Sequence, residues 1–135
     1  MKNEKQTLEY QPKSDYLRVA TATPEVAIGD VSTNLLSIKA LYDQACEANT
    51  ALVVFPELSL TGYTIQDLVM QPSLLRSAQQ GLSALAEYTA DKHTAAVVGL
   101  PFVVGNAIHN TAAVVADGHI KGIVPKQHLP TYNEF

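Results

Sequence analysis

Ala51 to Phe55 reads ALVVF, five apolar residues with no polar position between them. A strand with one wet face alternates apolar and polar side chains. A run without alternation belongs in a sheet covered on both faces, usually a parallel one flanked by helices. The flanking sequence agrees. Leu17 to Thr23 (LRVATAT) alternates and carries β-branched residues, so it reads as a strand ended by Pro24. Gly29-Asp30 makes a turn. From Val31 to Asn49 the apolar positions Val31, Leu35, Ile38, Leu41, Tyr42 and Ala45 recur at helical spacing. Asp30 or Ser32 suits the start of that helix as a cap, and Asn49 suits its end. Strand, helix, strand makes one βαβ unit with an expected right-handed crossover.

Downstream, Ser73 to Lys92 predicts a second amphipathic helix with Leu75, Ala78, Leu82, Leu85 and Thr89 on one face. Gly81 interrupts it at a cost of about 1 kcal/mol relative to alanine. Ala95 to Leu100 (AAVVGL) is a further apolar strand. Thr111 to Ala116 is expected to pair with His119 to Val124 across Asp117-Gly118, a type I′ hairpin signal. The fold class is therefore α/β with a mixed sheet, parallel at first and antiparallel at the end. Five or so strands with two helices cover only part of such a sheet. Gln127 to Phe135 reads as loop, and residues 1–16 read as a polar tail, or as an arm that packs on a partner subunit.

Composition narrows the function. Apolar residues make up 47% and charged residues 16%, enough for a buried core in one domain. A net charge of −4, with no Lys/Arg cluster, argues against a nucleic-acid partner. The most apolar stretch, Ala95 to Gly105, is broken by Pro101 and falls short of the roughly 20 residues of a membrane helix. The N-terminus lacks the apolar segment of a signal peptide. The single cysteine, Cys46, forbids an intrachain disulfide. These features predict a cytoplasmic protein with no membrane partner.

Two residues stand where chemistry is usually placed in such folds, beyond the carboxyl ends of strands. Glu57 follows the ALVVF strand, aimed by Pro56. Near apolar walls its carboxyl can have a raised pKa and act as a general base. Lys126 follows Pro125 at the end of the last strand and could stabilise an oxyanion. Taken alone, a capping or surface glutamate and a solvated lysine are the plainer readings. Cys46 lies in the last turns of the first helix, where the dipole disfavours a thiolate, and reads as packing. His93, His109, His119 and His128 lack zinc-ligand spacing, so no metal is expected. No phosphate-cradling glycine loop and no nucleophile elbow occur.

Together the motifs carry more. Phe55-Pro56-Glu57-Leu58 followed by Thr61-Gly62-Tyr63 resembles the glutamate motif of the nitrilase (carbon–nitrogen hydrolase) superfamily. Pro125-Lys126-Gln127-His128-Leu129-Pro130 resembles its lysine motif. Asn110-Thr111-Ala112 with the Asp117-Gly118 turn and Gly122 resembles the hairpin between them, and Gly29-Asp30 with Asn34 matches the first loop and helix. The runs FPELSLTGYTIQDLVMQPSLL and VPKQHLPTYNEF are most similar to one branch, the glutaminase domains of glutamine-dependent NAD+ synthetases.

That resemblance implies the N-terminal half of a nitrilase-type α-β-β-α sandwich, with residues 17–135 an incomplete glutaminase domain. It implies that Glu57 and Lys126 are catalytic, and that Tyr132 contacts the substrate, glutamine. The family's nucleophilic cysteine has no match here, and Cys46 does not supply it, so the chain is expected to be inactive alone. The amidase half implies no cofactor. ATP and deamido-NAD+ would serve a separate synthetase domain, and homo-oligomers are expected. Another nitrilase-branch amidase or carbamoylase, or a non-catalytic partner-binding half-domain, are the alternatives. All catalytic readings require the tips of Glu57 and Lys126 to converge on one pocket.

Overall fold

The structure is a computed structural model and describes residues 15–129. One five-stranded sheet runs in the order β1 (Val19–Thr21), β2 (Leu52–Val54), β3 (Ala95–Val104), β4 (Ala107–Ala116), β5 (His119–Pro125). The first three strands are parallel and the last two pairings antiparallel, so the sheet is mixed as expected.

Helix α1 (Val31–Glu47) returns the chain from β1 to β2, and α2 (Pro72–Tyr88) leads into β3. Asp30, not Ser32, caps α1: its carboxylate accepts the Thr33 N–H at 3.0 Å and the Thr33 hydroxyl at 2.8 Å. Asn49 ends it at φ 54°. Its N–H meets the Cys46 carbonyl and the Thr50 N–H meets that of Ala45, the paired bonds of a Schellman stop.

Both helices cover one face of the sheet. Ile38 and Tyr42 from α1, and Leu82 and Leu85 from α2, join Val53, Ala96, Val98, Leu100, Ala113 and Val115 in one buried cluster. Gly81 belongs to this packing rather than weakening it. A Cβ there would lie 2.8 Å from Val31 Cγ1, so the missing side chain lets the two helices approach. The Tyr42 hydroxyl crosses to the sheet and donates to the Thr94 carbonyl at 2.6 Å. Burial raises its pKa, which keeps it a donor. Tyr42→Phe is expected to leave that buried carbonyl unpaired and to lower the unfolding free energy by about 1–2 kcal/mol in a urea titration.

The opposite face carries Val19, Leu52, Val54, Val97, Ala112, Val114 and Val124, by alternation from the buried positions. No helix among the described residues covers it, and Val124 is 62% exposed. Both faces are apolar, as ALVVF required, yet among the described residues helices cover only one.

The strands differ from expectation in extent: β1 is only Val19–Thr21 of the expected Leu17 to Thr23, and β3 and β4 are longer. β3 runs ten residues, through Pro101, and turns at Gly105-Asn106 into β4, a second hairpin. Pro101 was expected to break the run. The Val97 carbonyl and the Gly99 N–H and carbonyl all bond toward the β2 side, so by alternation the absent N–H of Pro101 also faces that side. There β2 has already ended, so no ladder bond is lost. Asp117 and Gly118 have φ 50° and 76°, as a type I′ turn demands. In β5 the register slips by one residue at Lys121, a bulge next to the turn.

Of the polar tail, only Asp15 and Tyr16 are described, both exposed. Tyr132 and the end of the second long motif lie outside the described residues.

Candidate active site

The Glu57 loop is held in place by backbone contacts on two sides. After β2, Phe55 N–H bonds to the Val97 carbonyl, and the Leu60 N–H bonds to the Gly99 carbonyl at 3.1 Å. Between them Leu58 takes φ 53°, a left-handed conformation unusual for leucine, while its side chain is buried. The turn lies so close to β3 that a Cβ on Gly99 would stand 2.3 Å from the Leu58 nitrogen. On the far side the loop is tied to α1 and to the turn before it. The Asn34 amide donates to the Leu60 carbonyl at 3.0 Å, and Gly29 N–H bonds to the Thr61 carbonyl at 2.7 Å.

Lys126 arrives from β5, the last strand in the sheet order, at the same strand-end side as Glu57. Its backbone N–H bonds to the Asn110 carbonyl at 2.8 Å, which extends the β4–β5 ladder one residue past Pro125. Its Nζ then lies 2.8 Å from Glu57 Oε1. The two residues named from the sequence, 69 positions apart, do converge. They meet at the rim of a depression of about 380 Å³ lined by Val54, Val97, Gly99, Ala112 and Val124 as well. These are residues of the uncovered sheet face.

A third residue joins them. Asn110 sits on β4 opposite Pro101, is 6% exposed, and donates its side-chain amide to Glu57 Oε1. The sequence offered Asn110 only as part of a hairpin motif. Pairing register alone brings it under Glu57, and the β3–β4 hairpin that sets this register was hidden by Pro101.

The carboxyl of Glu57 does not have the raised pKa expected from its apolar walls. The hydrogen bond from Lys126 lowers it most. Burial opposes this, and the Asn110 bond and the Lys126 charge add to the lowering. Burial loses because 39% of the Glu57 side chain remains exposed. Glu57 is thus ionised at neutral pH and able to accept a proton. Because its folded pKa is depressed, the pair contributes above the ordinary glutamate pKa and is lost as pH falls through the lowered one. With both side chains more than a third exposed, that contribution to stability is small.

Cys46 is far from this place in the fold. It lies in the last turn of α1, next to the start of β2, whereas Glu57 follows the end of β2. It is half-buried and packs against the helix-side core. No group of His, Cys, Asp and Glu among the described residues could hold a metal ion. No helix among them is long and apolar enough to cross a membrane.

An acid and a cation lie at converging strand ends beside an apolar depression, an arrangement able to accept a proton and to polarise a carbonyl group. Residues 18–135 match the model of the family described as carbon-nitrogen hydrolase. A glutamine-dependent NAD(+) synthetase of Mycobacterium tuberculosis is 41% identical over 120 residues, covering 89% of this chain and 18% of that protein. The crystal structure of a glutamine-dependent NAD(+) synthetase from Cytophaga hutchinsonii superposes with a TM-score of 0.80 at 25% identity, over 85% of this chain and 20% of that one. An amidase from Nesterenkonia sp. superposes with a TM-score of 0.75 at 25% identity, over 84% of this chain and 44% of that one. The chain spans about a fifth of the length of the curated relatives it matches.

Proposed function

The chain belongs to the carbon–nitrogen hydrolase family, and we propose that within it Glu57 and Lys126 are the base and the cation of a glutamine-hydrolysing site. The ammonia released would amidate deamido-NAD+ in an ATP-using synthetase. The observation that carries this reading is the convergence of Glu57 and Lys126, 2.8 Å apart, at the strand ends. The 41% identity to a glutamine-dependent NAD(+) synthetase supports glutamine over other amides.

In this mechanism a thiol attacks the side-chain amide carbon of glutamine while Glu57 takes the thiol proton. Lys126 stabilises the negative oxygen of the tetrahedral intermediate. The carbon–nitrogen bond breaks as Glu57 returns the proton to the leaving nitrogen, and ammonia departs from a thioester. Glu57 then takes a proton from water, the hydroxide adds to the thioester carbon, and the carbon–sulfur bond breaks as Glu57 returns the proton to the departing thiolate, which frees glutamate and restores the thiol. The thiol comes from outside these 135 residues, since Cys46 sits at the wrong end of β2. Tyr132 is assigned a glutamine contact by its motif. The amidase chemistry needs no cofactor. A cytoplasmic homo-oligomer is the proposed setting.

The test is a hybrid in which this chain replaces the matching stretch of the Mycobacterium tuberculosis relative, assayed for ammonia from glutamine. The hybrid is expected to release ammonia, and Glu57→Gln or Lys126→Met to bring release to background. The isolated chain is expected to release none. Release that survives Glu57→Gln would refute the assignment. Cleavage of acetamide or an N-carbamoyl amino acid in preference to glutamine would favour the simple amidase or carbamoylase reading. A folded hybrid with no amidase activity would favour a partner-binding module.

A further inference from the structure

We infer that Asn110 is a positioning residue for the base: with Lys126 it occupies Oε1 of Glu57 and thereby assigns proton transfer to Oε2. The inference rests on the reading of Glu57 as a general base.

The geometry is asymmetric. Lys126 Nζ and Asn110 Nδ2 both donate to Oε1, and no hydrogen bond among the described residues falls on Oε2. A carboxylate on a stem of two methylenes can rotate and exchange its oxygens. Two donors from different directions on one oxygen prevent that. Lys126 alone would not suffice, because an ammonium on a four-carbon stem follows its partner. Asn110 cannot follow. It is 6% exposed, lies in the middle strand of two antiparallel pairings, and its short side chain has no reach to spare.

Asn110 also fixes the second partner. Its carbonyl accepts the Lys126 N–H at 2.8 Å, so one residue anchors the lysine through its backbone and the glutamate through its side chain. A proton taken by Oε1 would have to break into two existing bonds. Oε2 takes it without disturbing either. Both bonds to Oε1 then persist through the proton's arrival and departure, and the carboxyl stays aimed while its charge changes.

The experiment is a pH titration of the isotope-labelled chain by NMR, with no substrate present. The Asn110 side-chain amide signals are expected to move with the same midpoint as the Glu57 carboxyl carbon. Amide signals that stay flat through the Glu57 midpoint would overturn the inference, and this measurement needs no variant. Asn110→Leu keeps the backbone carbonyl that holds Lys126 and removes only the donor. It is expected to strengthen proton binding by Glu57 about threefold or more, because a hydrogen bond to the ionised form is gone. An unchanged midpoint in a folded Asn110→Leu would overturn it, since an asparagine that merely packs would leave Glu57 alone. Glu57→Gln places an amide nitrogen at the Oε2 position. Its Asn110 signals are expected near the wild-type low-pH limit at every pH, and a position away from that limit would reject the Oε2 assignment. Failure of the hybrid to hydrolyse glutamine would strike the proposed substrate and leave these titrations intact.

Discussion

Gly99→Ala is expected to remove at least about 3 kcal/mol of unfolding free energy, at the upper end of what overpacking a core costs. The reason is what the added methyl would meet. It would lie 2.3 Å from the Leu58 nitrogen and 2.9 Å from both the Glu57 carbonyl carbon and the Pro56 carbonyl oxygen. All three are backbone atoms, so no side chain can swing aside. The loop cannot lift as a whole either. Phe55 N–H and Leu60 N–H bond into β3 on both sides of the contact, and the Ser59 hydroxyl accepts the Gly99 N–H at 3.3 Å. Either those bonds break or β3 bends away from β2. A domain of this size has about 5–15 kcal/mol in total, so the loss is large. A urea midpoint is the measurement, with the Glu57 carboxyl titration beside it. If the loop lifts, Glu57 parts from Lys126 and Asn110, and its pKa returns toward the ordinary glutamate range. A variant within about 0.5 kcal/mol of wild type, the range of a neutral surface change, would mean that the close approach is not there.

Gly99 also shows where the sequence was legible. Read as one residue of an apolar strand, it raised no question, because nothing local says that another segment's backbone crosses above it. The same limit applies to Gly81, which looked like a helix defect until the packing against Val31 was seen. What local rules govern came through. Apolar runs and helical spacing fixed the strands, both helices and the parallel-to-antiparallel change, because each depends on side chains adjacent along one element. Asp117-Gly118 announced its hairpin for the same reason. Gly105-Asn106 is also a hairpin pair, but a strand read as Ala95 to Leu100 stops too early to reach it. Only the register of the neighbouring strand reveals that Pro101 loses no bond.

The site divides in the same way. Glu57 and Lys126 were located by motif and by their place after strands. Their convergence needed only that β2 and β5 end at the same edge of the sheet. Asn110 needed the β3–β4 register as well, and no spacing rule in the chain encodes that. The direction of the Glu57 shift is not legible in sequence, because apolar neighbours are visible there, whereas exposure and the donors on Oε1 are not. Hydrogen bonds from Lys126 and Asn110 outweigh partial burial, and the pKa goes down.

Asn34→Leu is expected to cost about 3 kcal/mol or more, although leucine matches asparagine in size and suits a helix better. Asn34 has no exposed surface. Its Oδ1 accepts the Ala27 N–H at 2.7 Å, and its Nδ2 donates to the Ala27 carbonyl at 2.8 Å and the Leu60 carbonyl at 3.0 Å. Leucine leaves the Ala27 N–H and the Leu60 carbonyl without their present partner, while the Ala27 carbonyl keeps the Asp30 N–H at 3.2 Å, and each group left unpaired costs about 1–3 kcal/mol when buried. The effect reaches the site, because the Leu60 carbonyl belongs to the loop that carries Glu57. Asn34→Asp separates the hydrogen-bonding account from simple packing. Its carboxyl would face two carbonyl oxygens and would fold best protonated, so its pKa in the folded state would be raised. The folded state would then hold a proton that the unfolded chain loses above about pH 4, the ordinary aspartate value. Its stability relative to wild type should therefore fall as pH rises from about 4 to 7, the reverse of the Glu57 pair. Urea unfolding of both variants across that range reads the difference. A constant gap between Asn34→Asp and wild type would mean that Asn34 fills space and bonds nothing.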